Sequence, residues 1–352
     1  MATTAPKLAT QGRFHLLDPM RFLAALAVVF YHYSVYFSSA GLGGAVKASY
    51  FGYLGVPLFF IISGFVITAS AHNRTGLEFA ISRAARLYPA FWAGLIFTVV
   101  VSLFAGNYYN LTDLLFNASL LNDYFGIDNV DGVYWTLQVE IKFYACVFFL
   151  IVFGVFDRFK IWLSIWLALA ITHYFTGQPH FLGWFISPQY SFFFIGGVCS
   201  YLLFQNKKDS YFGFIFLIAA IFSVIVADIQ AIHFYPSATE ADKNIVSIII
   251  ICFYLLFLAL SLGKLQIKSH SGFSLLGAIS YPVYLIHNNA GKDIISGLSE
   301  KIPIPMAVAI TTVIVVFVSI SIHIMVEKKL ALKLKQVGTY LLIKNPLLNR
   351  PK

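Results

Sequence analysis

Ten stretches of roughly 20 mostly apolar residues follow one another along the chain, and they limit its fold to very few classes. Stretches of that length span the hydrocarbon of a bilayer as helices, in which every backbone donor and acceptor is satisfied. They do not alternate polar and apolar residues as the strands of a membrane β-barrel do. Because 59% of the 352 residues are hydrophobic and only 11% are charged, a water-soluble domain is excluded. The sequence predicts an all-α fold, a polytopic membrane bundle of about ten transmembrane helices.

The predicted spans lie near residues 20–38, 52–71, 87–105, 132–154, 160–176, 188–204, 211–231, 244–262, 273–291 and 303–326. An even number of spans places both ends of the chain on the same side of the membrane. That side carries 19 of the 24 lysine and arginine residues, and such an excess marks the cytoplasmic side. Both termini are therefore expected in the cytoplasm. The net charge of +9 reflects this orientation and an attraction to anionic membrane lipid, and no nucleic-acid partner is expected.

The spans follow one another without a linker long enough to separate a second globular domain. We therefore expect a cytoplasmic N-terminal segment at 1–16, one transmembrane domain at 17–327 and a basic cytoplasmic tail at 328–352. The N-terminus leads into a full-length span without a processing site, so we expect no cleavage there. The tail mixes lysine and leucine at helical spacing and is predicted to lie on the inner membrane surface. Segment 106–131 is acidic, and both a lid and a solvated loop fit its composition.

The first span contains two ionisable residues, Arg21 and His32, with ten residues between them. Ionisable side chains are costly inside a membrane and usually mark functional sites. Eleven helical steps of about 1.5 Å separate the two residues by roughly 16 Å along the axis and return them to nearly the same face. Arg21 is therefore expected at one membrane interface, with His32 on the same stripe and deeper in the helix.

Two arginines, Arg83 and Arg86, lie one helical turn apart at the inner edge of the third span. Residues at i and i+3 point the same way, and two guanidinium groups on one face can bind phosphate oxygens. The same pair also fits a plain positive-inside anchor that binds no ligand. Spacing alone leaves both interpretations open.

Three acidic or titratable residues lie in later spans. Glu140 is about two turns inside the fourth span, where a carboxylate needs a cationic or hydrogen-bonded partner or keeps its proton. Lys142 points to another face, so His32 or an arginine from another helix is the expected partner. His287 lies near the outer end of the ninth span and Glu327 at the inner end of the tenth, and either residue can be structural.

These residues form two groups along the membrane normal. His32, Glu140 and His287 map to the outer half of the bundle, whereas Arg21, Arg83, Arg86 and Glu327 map to the inner edge. A charged small molecule can then bind at the inner edge while its reactive part reaches a histidine and a carboxylate. That pair suits general base catalysis on a hydroxyl, or transient acceptance of an acyl group. The three cysteines lie in apolar spans at spacings that fit neither a disulfide framework nor a metal site.

Five blocks in order give the chain a resemblance to a known family. They are the Arg21-to-His32 pair, GYLGVPLFFIISGFVIT at 52–68, the Arg83-x-x-Arg86-x-x-Pro89 run, WTLQVEIKFY at 135–144 and SYPVYLIH at 280–287. From about Leu17 to Glu327 the chain resembles the integral-membrane acyltransferase 3 family, which includes bacterial O-acetyltransferases. Two positions depart from the family pattern: Pro19 stands where glycine is common, and Thr136 replaces the usual serine.

The resemblance implies a multi-pass O-acetyltransferase of the bacterial inner (cytoplasmic) membrane. Its donor would be acetyl-CoA or another acyl-CoA, its acceptor a hydroxyl of a surface glycan or lipid-linked saccharide, and no cofactor would be permanently bound. His32, Arg21 and Glu140 would act in catalysis, and Arg83 and Arg86 would bind the donor. Further candidates for acceptor binding or structural roles are Asp18, Trp135, Tyr144, His287 and Glu327.

A protein of another class, a proton-coupled secondary transporter, is the alternative, because intramembrane histidine and glutamate residues also build proton relays. Inverted repeats would favour it, and the first and second five spans show no such self-similarity. A purely structural membrane protein does not explain why ionisable residues recur at membrane depth. The sequence therefore favours the enzyme.

Overall fold

The computed structural model describes residues 14–38, 47–178, 181–206, 209–265 and 271–344, and the regular elements in these ranges are helices. The longer helices are α1 (Leu17–Tyr36), α2 (Gly55–Ala71), α3 (Gly76–Phe104), α4 (Leu111–Ser119), α5 (Trp135–Val152), α6 (Phe159–Thr176), α7 (Pro188–Gln205), α8 (Ser210–Phe234), α9 (Glu240–Ser261), α10 (Ser271–Ile286), α11 (Asn289–Ser299), α12 (Ile304–Ile322) and α13 (Lys328–Lys344). Short helical turns lie at Tyr50–Leu54, Asn122–Phe125, Gly132–Tyr134 and Leu182–Phe185. The predicted all-α bundle is confirmed.

Each predicted span falls on a helix, namely α1, α2, α3, α5 to α10 or α12. In the described part of the chain, seven helical stretches are long and apolar enough to cross a membrane, and they contain α2, α3, α5, α6, α8, α9 and α12. Of the remaining three, α10 has only 16 residues, and α1 carries Asp18, Arg21 and His32. The number of crossings and the side of each terminus stay predictions, since 1–13 and 345–352 lie outside the described residues.

The third of these helices, α7, lies inside the bundle, and every residue from Tyr190 to Leu203 is buried. Protein rather than lipid surrounds it, so its sequence includes small and polar residues that a lipid-facing span would lack. A Cβ atom added to Gly197 would lie 2.0 Å from the carbonyl oxygen of Ile61 in α2. The glycine of α2 is equally confined, since a Cβ on Gly64 would lie 2.2 Å from a carbonyl oxygen of α7. Small residues thus let the two backbones approach closely, as the glycines of the second span predict.

Two close contacts place α1 along α10 and α11. A Cβ added to Gly277, early in α10, would lie 2.2 Å from Oδ1 of Asp18. Near the other end of α1, a Cβ added to Gly291 would lie 2.2 Å from the Tyr33 hydroxyl. Helix α1 therefore runs in the same direction as α10, and the C-terminal part of α1, which carries His32, lies beside the end of α10.

The start of α3 is fixed by a capping box. The Thr75 hydroxyl accepts a hydrogen bond from the backbone N–H of Glu78, and the Glu78 carboxylate accepts one from the backbone N–H of Thr75. Such reciprocal bonds satisfy two donors that a helix N-terminus otherwise leaves open. The second and third turns of α3 then carry Arg83 and Arg86.

The acidic segment between α3 and α5 is folded rather than extended, because α4 and two short helical turns organise it. Buried Asn117 donates to the carbonyl oxygen of Asp128 at 3.0 Å and accepts from the backbone N–H of Val130 at 2.9 Å. Lys142 of α5 pairs with Asp123 of this segment at 3.3 Å, which confirms that it is not the partner of Glu140. The segment is thus pinned to the ends of the membrane helices.

The first part of the basic tail continues the last span instead of leaving the bundle. A single π-helical turn at His323–Glu327 joins α12 to α13, and α13 packs against α3, where Gly338 meets the side chain of Ile81. This part of the tail is helical, as the spacing of its lysine and leucine residues predicts. Residues of α13 also line a cavity described below, so this helix packs on the bundle, and the predicted domain boundary at 327/328 stays a prediction.

Candidate active site

A cavity of about 590 Å³ opens between α1, α2, α3, α5, α10 and α13, and we call it the arginine cavity. Its charged lining residues are Arg21, Arg83, Arg86, Glu140, Glu327, Lys328 and Lys335. A neighbouring cavity of about 690 Å³ shares Arg21, Arg86 and Lys328 with it. Volumes of this order accommodate nucleotide-sized ligands. Five basic residues against two acidic ones make the arginine cavity suited to an anion.

The Arg86 guanidinium is held by Glu327, with which it forms a short ion pair. The other oxygen of this buried carboxylate lies 2.8 Å from Nδ1 of His323, four residues earlier. Both His323 and Glu327 belong to the π-helical turn, and single π turns inside longer helices recur at functional sites. Glu327 therefore orients one of the two predicted donor-binding arginines.

The Arg83 guanidinium has N–H groups available for further hydrogen bonds. Its Nη2 donates to Ser82 at 3.2 Å, and the guanidinium lies 6.0 Å from the ring centroid of Tyr144. Its buried Nε has no hydrogen-bond partner among the described residues. A buried donor without an acceptor is costly, so a bound anion that satisfies it would be stabilised at this position.

Glu140 belongs to the arginine cavity. Ser63 and Tyr144 each donate a hydrogen bond of 2.6 Å to its Oε1, and Arg21 lines the same cavity. An arginine from another helix was one of the two partners expected, and the structure favours it. Glu140 does not line the smaller cavity that contains His32, about 7.5 Å back along α5 at Trp135.

A third, smaller cavity of about 70 Å³ is lined by His32, and we call it the histidine chamber. Aromatic side chains dominate its lining, among them Tyr31, Tyr53, Trp135 and Tyr190. The Trp135 ring packs on Tyr190, with 5.1 Å between centroids. This chamber has room for only a few non-hydrogen atoms around the imidazole.

Two residues, Val56 and Tyr284, line both the arginine cavity and the histidine chamber, and we call this pair the wall between them. The hydroxyl groups of Tyr284 and Thr136 are hydrogen-bonded at 2.9 Å, which fixes the tyrosine side of the wall. A ligand bound in the arginine cavity therefore meets the histidine chamber at one defined place.

His287 lies beside His32, with 5.2 Å between the ring centroids. It is completely buried, and its Nδ1 lies 2.8 Å from the carbonyl oxygen of Tyr284. Because a carbonyl can only accept, Nδ1 carries a proton, and in the neutral ring Nε2 is a bare acceptor. Within the described residues Nε2 has no hydrogen-bond partner. A hydrogen-bond acceptor of fixed orientation, Nε2 of His287, thus lies next to the predicted catalytic histidine.

The turn after His287 is fixed by Asp131. This buried carboxylate accepts hydrogen bonds of 2.9 Å from the side chain of Asn288 and of 2.9 Å from the backbone N–H of Asn289. Burial raises the pKa of Asp131, whereas these hydrogen bonds and Lys292 act in the opposite direction. The acidic segment thereby holds the end of α10, and with it the ring of His287.

The structure groups the remaining predicted residues as follows. Tyr144 binds Glu140, Trp135 lines the histidine chamber, Asp18 is buried against Gly277, and Glu327 binds Arg86. Sequence reasoning missed Ser63, Tyr284, His323 and two cavity lysines of α13. The lysines are seven residues apart and His323 is four residues from Glu327, so helical spacing carried a signal for them. Nothing in the sequence pointed to Ser63, whose role comes from a contact between helices.

Comparisons with known proteins identify the family of the chain. A relative, nodulation protein 10 of Rhizobium leguminosarum bv. viciae, is 25% identical over 163 residues, which cover 38% of this chain and 43% of that protein. The chain thus spans less than half the length of this curated relative. No solved structure matches the chain. The sequence profile of the acyltransferase 3 family, described as an acyltransferase domain, matches residues 14–324. Because that match covers most of the chain, the protein belongs to the acyltransferase 3 family.

Proposed function

We propose that this membrane acyltransferase is an O-acyltransferase that takes an acyl group, acetyl in the first instance, from acyl-CoA. The acceptor is a hydroxyl of a surface glycan, a lipid-linked saccharide or a related molecule. One observation carries the proposal: a basic cavity and a histidine chamber meet at a wall formed by Val56 and Tyr284. The basic cavity suits the phosphates of a nucleotide donor, and the chamber suits proton transfer.

On the donor side, Arg83 and Arg86 bind phosphate oxygens, and the acyl-pantetheine arm extends past Glu140 toward the wall. Arg83 supports this role through its unpartnered Nε, and Arg86 through the orientation that Glu327 imposes. Arg21 faces the same cavity and adds a further cation near Glu140. With the protein in a bacterial inner membrane and both of its termini in the cytoplasm, cytoplasmic acyl-CoA would have access to this cavity.

In the transfer step, His32 acts as the general base. It removes the proton of the acceptor hydroxyl while the hydroxyl oxygen attacks the thioester carbonyl carbon. The C–S bond then breaks, the ester forms, and His32 returns the proton to the sulfur of CoA. His287 is a positioning residue, because its Nε2 can accept a hydrogen bond from the protonated His32 directly or through one water.

The transporter alternative explains ionisable residues at membrane depth but predicts no acyl transfer. Membership of an acyltransferase family supports the enzyme.

Labelled acetyl-CoA supplied to membranes that contain the protein tests the proposal. His32→Ala should reduce acceptor labelling by roughly 100-fold or more, the usual contribution of a general base, and Arg21→Ala should also reduce it strongly, because it removes the cation near Glu140. His173→Ala is the control, since His173 lies on α6 and lines neither cavity. Normal labelling by either active-site variant refutes the assignment. Mass spectrometry of envelope glycans with and without the gene then identifies the acceptor.

A further inference from the structure

One face of α13 forms part of the arginine cavity. Lys328, Ala331, Leu332 and Lys335 all line it. These positions follow the i, i+3, i+4, i+7 pattern, so they share one stripe of the helix. The arrangement is therefore a property of a whole helix face and not of one side chain.

Two contacts hold α13 in this position. At its N-terminal end, Glu327 forms the ion pair with Arg86, which ties the π-helical turn to α3. Further along the helix, Gly338 is buried against Ile81 of α3, where an added Cβ would lie 2.6 Å from the isoleucine side chain. The helix is thus packed along the segment of α3 that carries the two donor-binding arginines.

The lysines of α13 increase the positive charge of the cavity. Arg86 is paired with Glu327, and Glu140 lies in the cavity with Arg21. The exposed lysines of the lining face, Lys328 and Lys335, bring two further positive charges, so the excess of basic over acidic lining residues rises from one to three. An ammonium group is a compact point charge that suits phosphate oxygens.

We propose that α13 is part of the donor site and that Lys328 and Lys335 bind phosphate groups of the nucleotide portion of the donor. The inference rests on the proposed function, because it takes an acyl thioester of a phosphorylated nucleotide as the donor. It assigns a specificity role to a segment that the sequence presents as a surface tail. The lysines select donors that carry phosphate groups over simple thioesters.

The chain offers a matched control on the same helix. Lys329 and Lys333 are exposed, as Lys328 and Lys335 are, and do not line the arginine cavity. The double variants Lys328→Glu/Lys335→Glu and Lys329→Glu/Lys333→Glu change the net charge by the same amount. A neutral pair, Lys328→Gln/Lys335→Gln, guards against misfolding caused by charge reversal, and thermal unfolding identifies any variant that fails to fold.

Two donors separate phosphate recognition from a structural effect. Acetyl-CoA and acetyl-pantetheine share the reacting thioester, but only acetyl-CoA carries phosphates. The cavity-facing variants should raise KM for acetyl-CoA roughly tenfold or more, the value of a lost charge-assisted hydrogen bond, with KM for acetyl-pantetheine unchanged. The control pair should change neither. Equal KM increases for both donors, or for both lysine pairs, overturn the inference.

Two further measurements distinguish donor binding by these lysines from lipid binding and from the transfer reaction. In vesicles of phosphatidylcholine alone and with added phosphatidylglycerol, the KM effect should be the same, and an effect confined to the anionic vesicles overturns the inference. Direct binding of labelled CoA isolates the donor site from the chemistry. Weaker CoA binding by the cavity-facing variants supports the inference even where no transfer occurs, and absence of CoA binding to the wild type overturns it.

Discussion

The His287→Asn variant should lose most of its transfer rate while binding acetyl-CoA as the wild type does. In the structure, Nδ1 of His287 is bonded to the carbonyl oxygen of Tyr284, and its Nε2 is a buried acceptor beside His32. An asparagine amide nitrogen lies close to the place of Nδ1 and can keep the bond to Tyr284. It has no atom at the place of Nε2.

The expected magnitude follows from the interaction that is lost. As His32 takes up the acceptor proton, the His287 acceptor stabilises the developing positive charge. A hydrogen bond to a charged group is worth about 1.5 to 3 kcal/mol, so kcat should fall roughly 10- to 150-fold. KM for acetyl-CoA should stay unchanged, because His287 does not line the arginine cavity.

The assay is steady-state transfer of labelled acetyl groups, with thermal unfolding as a check on the fold. The His287→Gln variant is the informative companion, because its side-chain oxygen reaches close to the place of Nε2 and can accept the same hydrogen bond. It should recover about tenfold in kcat over His287→Asn. A wild-type kcat in His287→Asn, a KM that changes in step with kcat, or equal rates in the two variants would refute the reasoning.

Two other predictions test the donor side and the core. Arg83→Ala should raise KM for acetyl-CoA and leave KM for the acceptor unchanged, because Arg83 lines the arginine cavity and not the histidine chamber. Steady-state kinetics with each substrate varied in turn measure both KM values. A raised KM for the acceptor with an unchanged KM for acetyl-CoA would contradict this prediction. Gly64→Ala should destabilise the protein by about 1 to 3 kcal/mol through overpacking, since the added methyl would lie 2.2 Å from a carbonyl oxygen of α7. Thermal unfolding measures that loss, and Gly213→Ala, where an added Cβ meets nothing within 4 Å, is its control.

The fold was largely predictable because membrane spans can be recognised in a sequence by their length and apolar content. The position of Arg86 beside Glu327 could also be predicted, since both residues lie at span ends that are expected at the same membrane interface. Which cavity a residue of a span lines was harder to predict. Glu140 lies in the arginine cavity because a hydroxyl from α2 and one from its own helix donate hydrogen bonds to it there, and a contact between helices leaves no periodic pattern in the sequence.

The role of the tail could not be predicted for a different reason. A basic amphipathic segment after the last span has the same pattern whether it lies on lipid or packs on protein. The choice is made by the π-helical turn at His323–Glu327 and by a glycine contact with Ile81, neither of which changes the hydrophobic pattern. Helical spacing still marks the two lysines that face the cavity, once the partner surface is known.

The packing of Val56 and Tyr284 matters for the electrochemical gradient across the membrane that contains this enzyme. A continuous water-filled pore through a membrane protein conducts protons and dissipates the electrochemical gradient. Val56 and Tyr284, the latter hydrogen-bonded to Thr136, line both cavities, so a path that crosses directly from one cavity to the other passes these two side chains. Proton leakage along this route therefore depends on how these two side chains pack.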